Sequence, residues 1–314
     1  MKNRLLGILF CCLVPVILIS FVAACAVPAD REEPLPVEIT DHLGRTVRLK
    51  KVPERIISLA PSNTEILFAL GLEDNLVGVT EFCDYPEAAK EKPQVGGFSN
   101  VDMERVVAMQ PDLILAADIH KDEVIPALEK VGLPVVCLTP TNLEEVLASI
   151  RLIGEITGKN DEASRLVTDM DNRIKAVTDK TSTLPEAQRP RVFYIIWHEP
   201  LMTVGPDTRI HELLEMTGGI NIAREMTDGY PTINLEAVIE ANPQIIIVGS
   251  GMGEGADLPF QFASSELRLK DVDARINDRI YEINTDLVGR PGPRIVDALE
   301  QLAEFQHPEL FKEK

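Results

Sequence analysis

Met103-Glu104-Arg105-Val106-Val107-Ala108-Met109-Gln110-Pro111-Asp112-Leu113-Ile114 returns later in the chain as Leu235-Glu236-Ala237-Val238-Ile239-Glu240-Ala241-Asn242-Pro243-Gln244-Ile245-Ile246. In both stretches a helical pattern runs into a proline, which cannot continue a helix. An apolar run follows, of the kind a strand buried on both faces carries. A glutamate stands seven residues before each proline. A second pair keeps the same order: Glu65-Ile66-Leu67 shortly before Gly71, and Glu212-Leu213-Leu214 shortly before Gly218-Gly219. Two matches in one order predict two similar α/β lobes.

Working outward, strands are expected at Arg55–Ala60, Leu76–Thr80, Leu113–Ala116, Pro134–Leu138, Arg191–Ile196, Ile245–Val248 and Ile280–Ile283, with helical patterns between them. Such alternation argues for parallel sheets. From Asn142 to about Lys180 no strand pattern appears, and Gly158 divides a helical stretch in two. Its second part, long and charged over much of its surface, suits a helix that bridges two lobes. The implied division is 1–24 export signal, 25–36 tether, 37–158 first lobe, 159–181 connecting helix and 182–314 second lobe. A cleft between lobes favours a small-molecule site.

Lys2 and Arg4 precede an apolar run ending Val22-Ala23-Ala24-Cys25. That is the charge and hydropathy plan of an export signal. Small residues before a cysteine resemble a bacterial lipoprotein processing site, with Cys25 as the lipidated first residue; the competing reading is an uncleaved membrane anchor. Both place the remainder outside the cytoplasm. Prolines and acids between Ala26 and Pro36 read as an extended tether. The formal net charge is -19, which argues against nucleic acid as the main partner and fits docking on something basic. Cys11, Cys12 and Cys25 belong to the signal, which leaves Cys83 and Cys137. Two cysteines make neither a disulfide scaffold nor a metal site, although they could pair in an oxidising compartment. The five histidines show no metal-ligand spacing, so no dedicated metal site is expected.

Further motifs are recognisable. Arg55 to Glu65, Val77-Gly78-Val79-Thr80, Cys83-Asp84-Tyr85-Pro86, Val95-Gly96-Gly97-Phe98, Trp197 to Leu201, Gly218-Gly219-Ile220-Asn221 and Arg290-Pro291-Gly292-Pro293-Arg294-Ile295 fall in order from about Val37 to the C-terminus. Together they resemble the periplasmic binding proteins for cobalamin and ferric siderophores, and Thr80 to Pro86 resembles the cobalamin-binding members most. The resemblance implies two Rossmann-like lobes held by one long backbone helix, a ligand cleft between them and little hinge motion. It implies a capture protein without catalysis, working as a monomer with an ABC importer: a permease dimer and its cytoplasmic ATPase subunits. Carried over by motif, Tyr85 and Phe98 would line the cleft from the first lobe. Tyr230 and the segment Asp286-Leu287-Val288-Gly289-Arg290 would line it from the second. Phe98 and Tyr230 stand where cobalamin-binding members carry tryptophan, which leaves room for a related corrinoid. Glu104 and Glu236 match glutamates that face permease arginines, although each would also suit the first turn of a capped helix.

A corrinoid is a broad, partly apolar macrocycle, and binding one calls for flat side chains and a few polar groups at the rim. Aromatics make up only 5% of the chain, so Tyr85, Phe98, Trp197 and Tyr230, each in a loop beside Pro or Gly, are the candidate surfaces. His198 is a candidate rim hydrogen bond. The ligand is expected to be a cobalt corrinoid, with a ferric siderophore or heme as the alternative. Gly251, Gly253 and Ala256, within the glycine-rich run 249–256, satisfy GxGxxA. A nucleotide-dependent enzyme is disfavoured, because Asp257, Pro259 and Phe260 stand where its helix would begin and no phosphate-loop lysine is present.

Overall fold

The computed structural model describes residues 37–311, apart from 228, 252–254 and 256. The signal, the tether, Cys25 and half of the glycine-rich run therefore lie outside the described residues.

Two four-stranded parallel sheets form the framework. The first runs in the order Leu76–Val79, Ile56–Ser58, Leu113–Ala116, Val135–Cys137. The second runs Ile220–Asn221, Arg191–Ile195, Ile245–Ser250, Ile280–Asn284. Within each sheet the spatial order is second strand, first, third, fourth, so the lobes share a topology as well as a sequence pattern. Ile56 sits beside Leu113 in one register and Val192 beside Ile245 in the other.

The repeat reaches the backbone. Asp102 accepts a hydrogen bond from the Arg105 N–H at 3.1 Å, and Asn234 accepts one from the Ala237 N–H at 2.7 Å. Each caps the helix that begins one residue later, Met103–Ala108 and Leu235–Ala241. Gln110 and Asn242, each just before its proline, both take a left-handed conformation, with φ of 48° and 44°.

The strands are buried on both faces, as parallel strands commonly are. Ile57, Ile114 and Val135 pack on the outer side of the first sheet, and Phe193, Ile246 and Val248 on the outer side of the second. Ile56, Leu113, Leu115 and Val136 join Val192, Tyr194, Ile245 and Ile247 in one central cluster. That cluster also takes in Val167, Met170 and Val177 of the connecting helix Asn160–Thr181. At 22 residues this helix is about 33 Å long, and one continuous apolar core therefore runs through both lobes.

The connecting helix follows Leu143–Thr157 through Gly158, whose φ of 71° is left-handed. A Cβ on Gly154 would lie 2.5 Å from the Ala163 Cβ, so the two helices meet where one lacks a side chain. Three features depart from expectation. Val37–Thr40 and Thr46–Leu49 form an antiparallel pair ahead of the first lobe. Trp197 and His198 form a short strand paired with Leu201–Met202 instead of a loop. A helix, Leu258–Ser265, does begin after the glycine-rich run; Pro259 stands in its first turn, where a missing N–H costs nothing.

The joint gives a direct test. Gly158→Ala is expected to cost about 1–2 kcal/mol, because Cβ crowds the left-handed conformation. The measurement is the urea midpoint at unchanged slope.

Candidate ligand-binding cleft

An inter-lobe cavity of about 830 Å³ opens between the C-terminal ends of the two sheets, the side on which open α/β sheets bind ligands. The first lobe contributes Phe82, Phe98, Asp118 and Ile119, and the second contributes Arg209, Asp286, Gly289 and Arg290. Phe82 and Ile119 are more than half exposed. A smaller cavity of about 230 Å³ extends into the second lobe, sharing Thr285 and Gly289 with the first and bounded by Tyr230, Tyr194 and Val288.

Phe98 is held from behind by a histidine that carried no signal in the sequence. His120 is fully buried and meets the Phe98 ring edge-on at 5.5 Å. Its Nδ1 accepts from the Ala117 N–H at 3.0 Å, so Nε2–H donates to the Phe98 carbonyl at 2.7 Å. Burial lowers its pKa, and the ring is a neutral brace between two loops of the cleft wall.

The remaining expected residues divide. Asp286, Gly289 and Arg290 line the main cavity; Val288 and Tyr230 line the smaller one. Leu287 packs against the central core. Tyr85 stands elsewhere. It lines a separate hollow of about 360 Å³ with Phe68, Leu166 and Met170, and the Arg294 guanidinium lies 3.8 Å above its ring. Trp197 and His198 line none of these three spaces: Trp197 Nε1 donates to its neighbour's carbonyl, Glu199 O, at 2.9 Å, and the His198 ring sits between Trp197 and Phe262. Cys83 and Cys137 are separate, buried thiols; Cys137 is pushed up to about 12 by burial.

Arg290 is committed to carboxylates. It reaches Asp84 at 2.6 Å and Glu65 at 3.4 Å on the first lobe, and Asp286 at 2.9 Å on its own. Arg294 binds Glu65 with two parallel bonds, 2.9 Å from Nε and 2.6 Å from an outer nitrogen. The Glu65 side chain is only 2% exposed. Gly292 passes close by: a Cβ there would lie 3.4 Å from the carboxylate. The Arg-Pro-Gly-Pro-Arg motif is thus a clasp between lobes. The counterpart of Glu65 in the repeat, Glu212, accepts from the Leu143 N–H at 2.9 Å, at the start of the helix that leaves the first lobe. Burial raises the Glu212 pKa.

Arg209 is the cleft cation that sequence reasoning missed. It donates to the Pro140 carbonyl of the first lobe at 2.6 Å and to the Gly289 carbonyl of the second at 2.7 Å. Among the described residues it has no carboxylate partner, and its buried Nε has no hydrogen-bond acceptor. Burial lowers its pKa.

Glu104 and Glu236 are both exposed in the first turns of their helices. One turn later each helix carries an exposed apolar residue, Val107 or Ile239.

Comparison with known proteins agrees with this geometry. The family model described as "Periplasmic binding protein" matches residues 56–287. A Bacillus subtilis protein described as an uncharacterized ABC transporter substrate-binding lipoprotein is 34% identical over 304 residues, covering 93% of this chain and 94% of the relative. The crystal structure of the periplasmic vitamin B12 binding protein of Vibrio cholerae superposes with a TM-score of 0.70 at 26% identity, over 83% of this chain and 99% of that one. A periplasmic heme binding protein of Pseudomonas aeruginosa gives 0.71 at 26% identity, over 82% and 93%.

The chain belongs to the periplasmic binding protein family. Within it, it is an extracytoplasmic substrate-binding protein of the cobalamin, heme and siderophore class, which serves ABC importers made of a permease and an ATPase. Among the described residues no helix is long and apolar enough to cross a membrane.

The clasp should dominate stability at the lobe boundary. Glu65→Ala leaves a buried guanidinium without its partner, a loss of about 3–5 kcal/mol. A urea midpoint equal to wild type would contradict this account of the boundary.

Proposed function

We propose that the chain captures a cobalamin-type corrinoid between its lobes and delivers it to a two-subunit permease, held at the membrane by lipid on Cys25. The observation that carries the ligand reading is the 830 Å³ cavity walled by Phe82, Phe98 and Ile119. A broad macrocycle needs a space of that size and flat apolar walls, with Asp118 and Arg209 at hand for polar arms. The likeness to a vitamin B12 binding protein over most of both chains supports it. A second reading, an anionic ferric siderophore or heme, is favoured by one feature: among the described residues the Arg209 guanidinium has no carboxylate partner, and a ligand carboxylate would supply one.

Calorimetric titration with cyanocobalamin, cobinamide, hemin and ferrichrome tests the choice. A corrinoid should bind most tightly, and binding of hemin or ferrichrome alone would decide for the second reading. Phe98→Ala and Tyr230→Ala should each weaken corrinoid binding by roughly five- to 150-fold, from about 1–3 kcal/mol of lost apolar and aromatic contact.

Docking rests on Glu104 and Glu236, one exposed carboxylate at the same place in each lobe. Arginine forks on the permease suit both, and joint engagement gains from effective concentration. Glu104→Ala and Glu236→Ala should leave ligand affinity and thermal stability near wild type, yet impair uptake in cells carrying the matching permease, the double variant most. Normal uptake by the double variant would reduce both to ordinary first-turn residues.

A further inference from the structure

Tyr194 lies on Arg191–Ile195, the first strand of the second lobe's sheet in chain order, and is 1% exposed. Among the described residues its hydroxyl has no hydrogen-bond partner. A Cβ on Gly249 would stand 3.1 Å from the hydroxyl oxygen and 2.7 Å from the Thr285 methyl, so bare glycine backbone and a methyl group pack this end of the phenol. Thr285 turns its own hydroxyl away, donating to the Ser250 carbonyl at 2.9 Å. A buried hydroxyl in this state is costly.

The same phenol borders the 230 Å³ side cavity. Ile196, Met202, Ile210 and Val288 supply aliphatic or thioether walls, and the exposed Tyr230 stands at its rim. Whole ligands of drug size occupy pockets of roughly 300–1,000 Å³. The side cavity is smaller than that, while the main cleft is within the range. Thr285 and Gly289 belong to both spaces, so a group attached to a ligand in the cleft can enter the side cavity without leaving it. Among the described residues no charged side chain lines this chamber, and an ionised group brought there would be costly.

We propose that the side cavity is a specificity subsite for an uncharged substituent bearing a hydrogen-bond acceptor, which the Tyr194 hydroxyl binds. Two substituents of a corrinoid have that chemistry, a carboxamide arm and a heteroaromatic base. The proposal rests on the corrinoid reading above for its probes, and on the cavity and phenol for its substance.

Tyr194→Phe removes one oxygen and keeps the shape. With the full chain in detergent, cyanocobalamin should bind roughly two- to tenfold more weakly to the variant, the range of one ordinary hydrogen bond. Without ligand, the variant should melt at the wild-type temperature or above it, since no protein contact is lost. Equal weakening toward cobinamide, which lacks the base, assigns the subsite to a carboxamide arm; weakening toward cyanocobalamin alone assigns it to the base. Unchanged affinity for both overturns the proposal. So does a lower melting temperature of the free variant, which would mean that the hydroxyl is already satisfied. If wild type binds neither corrinoid, the ligand reading fails separately. The variant is then titrated with hemin or ferrichrome, whichever binds: weakening upholds the subsite, no change overturns it, and binding of neither overturns both.

Discussion

A single carboxylate sets the geometry between the lobes. Glu65 is almost wholly withdrawn from solvent, and its two oxygens are taken up by Arg294 and approached by Arg290, both from the other lobe. A buried ion pair adds little net stability against an apolar substitute, but breaking one is expensive. Such a contact therefore specifies a relative position more than it stabilises one. With the apolar core continuous through the connecting helix, hinge bending would have to open a packed interior and strand a charge. The cleft is largely built before a ligand arrives, so binding spends little on ordering the protein.

That rigidity assigns different tasks to neighbouring arginines. Arg290 touches the cavity but is held by three carboxylates. Arg209 bridges two carbonyls across the boundary and keeps its charge without a carboxylate partner among the described residues. The first belongs to the frame and the second to the opening. Tyr85 belongs with the frame too: its ring supports Arg294 on the side facing the connecting helix.

Strand positions, the helical connector and the paired helix starts were legible because they depend on local periodicity and on proline, glycine and capping residues. Asp102 and Asn234 cap the paired helices at the same place, and Gln110 and Asn242 extend the repeat to backbone conformation. The cleft was legible in part. Phe98, Tyr230, Asp286, Gly289 and Arg290 could be placed because motifs carried them. His120, Phe82 and Arg209 could not. A lone histidine bonding two backbone groups leaves no spacing signature, and Arg209 simply follows Thr208, a helix cap. Tyr85 was misplaced toward the cleft because a loop beside proline says nothing about which side of a lobe it faces. Two-residue strands such as Trp197–His198 are too short to show alternation.

The paired strands Trp197–His198 and Leu201–Met202 follow the first strand of the second sheet. In the first lobe the chain passes from Ser58 almost directly into the helix that begins at Pro61. Two identical jaws would hold a disc-shaped guest equally well either way up, and half the encounters would present the wrong side to whatever receives it. The extra hairpin makes the jaws unequal: Met202 borders the side cavity of the second lobe, and Trp197 and His198 stand away from the cleft.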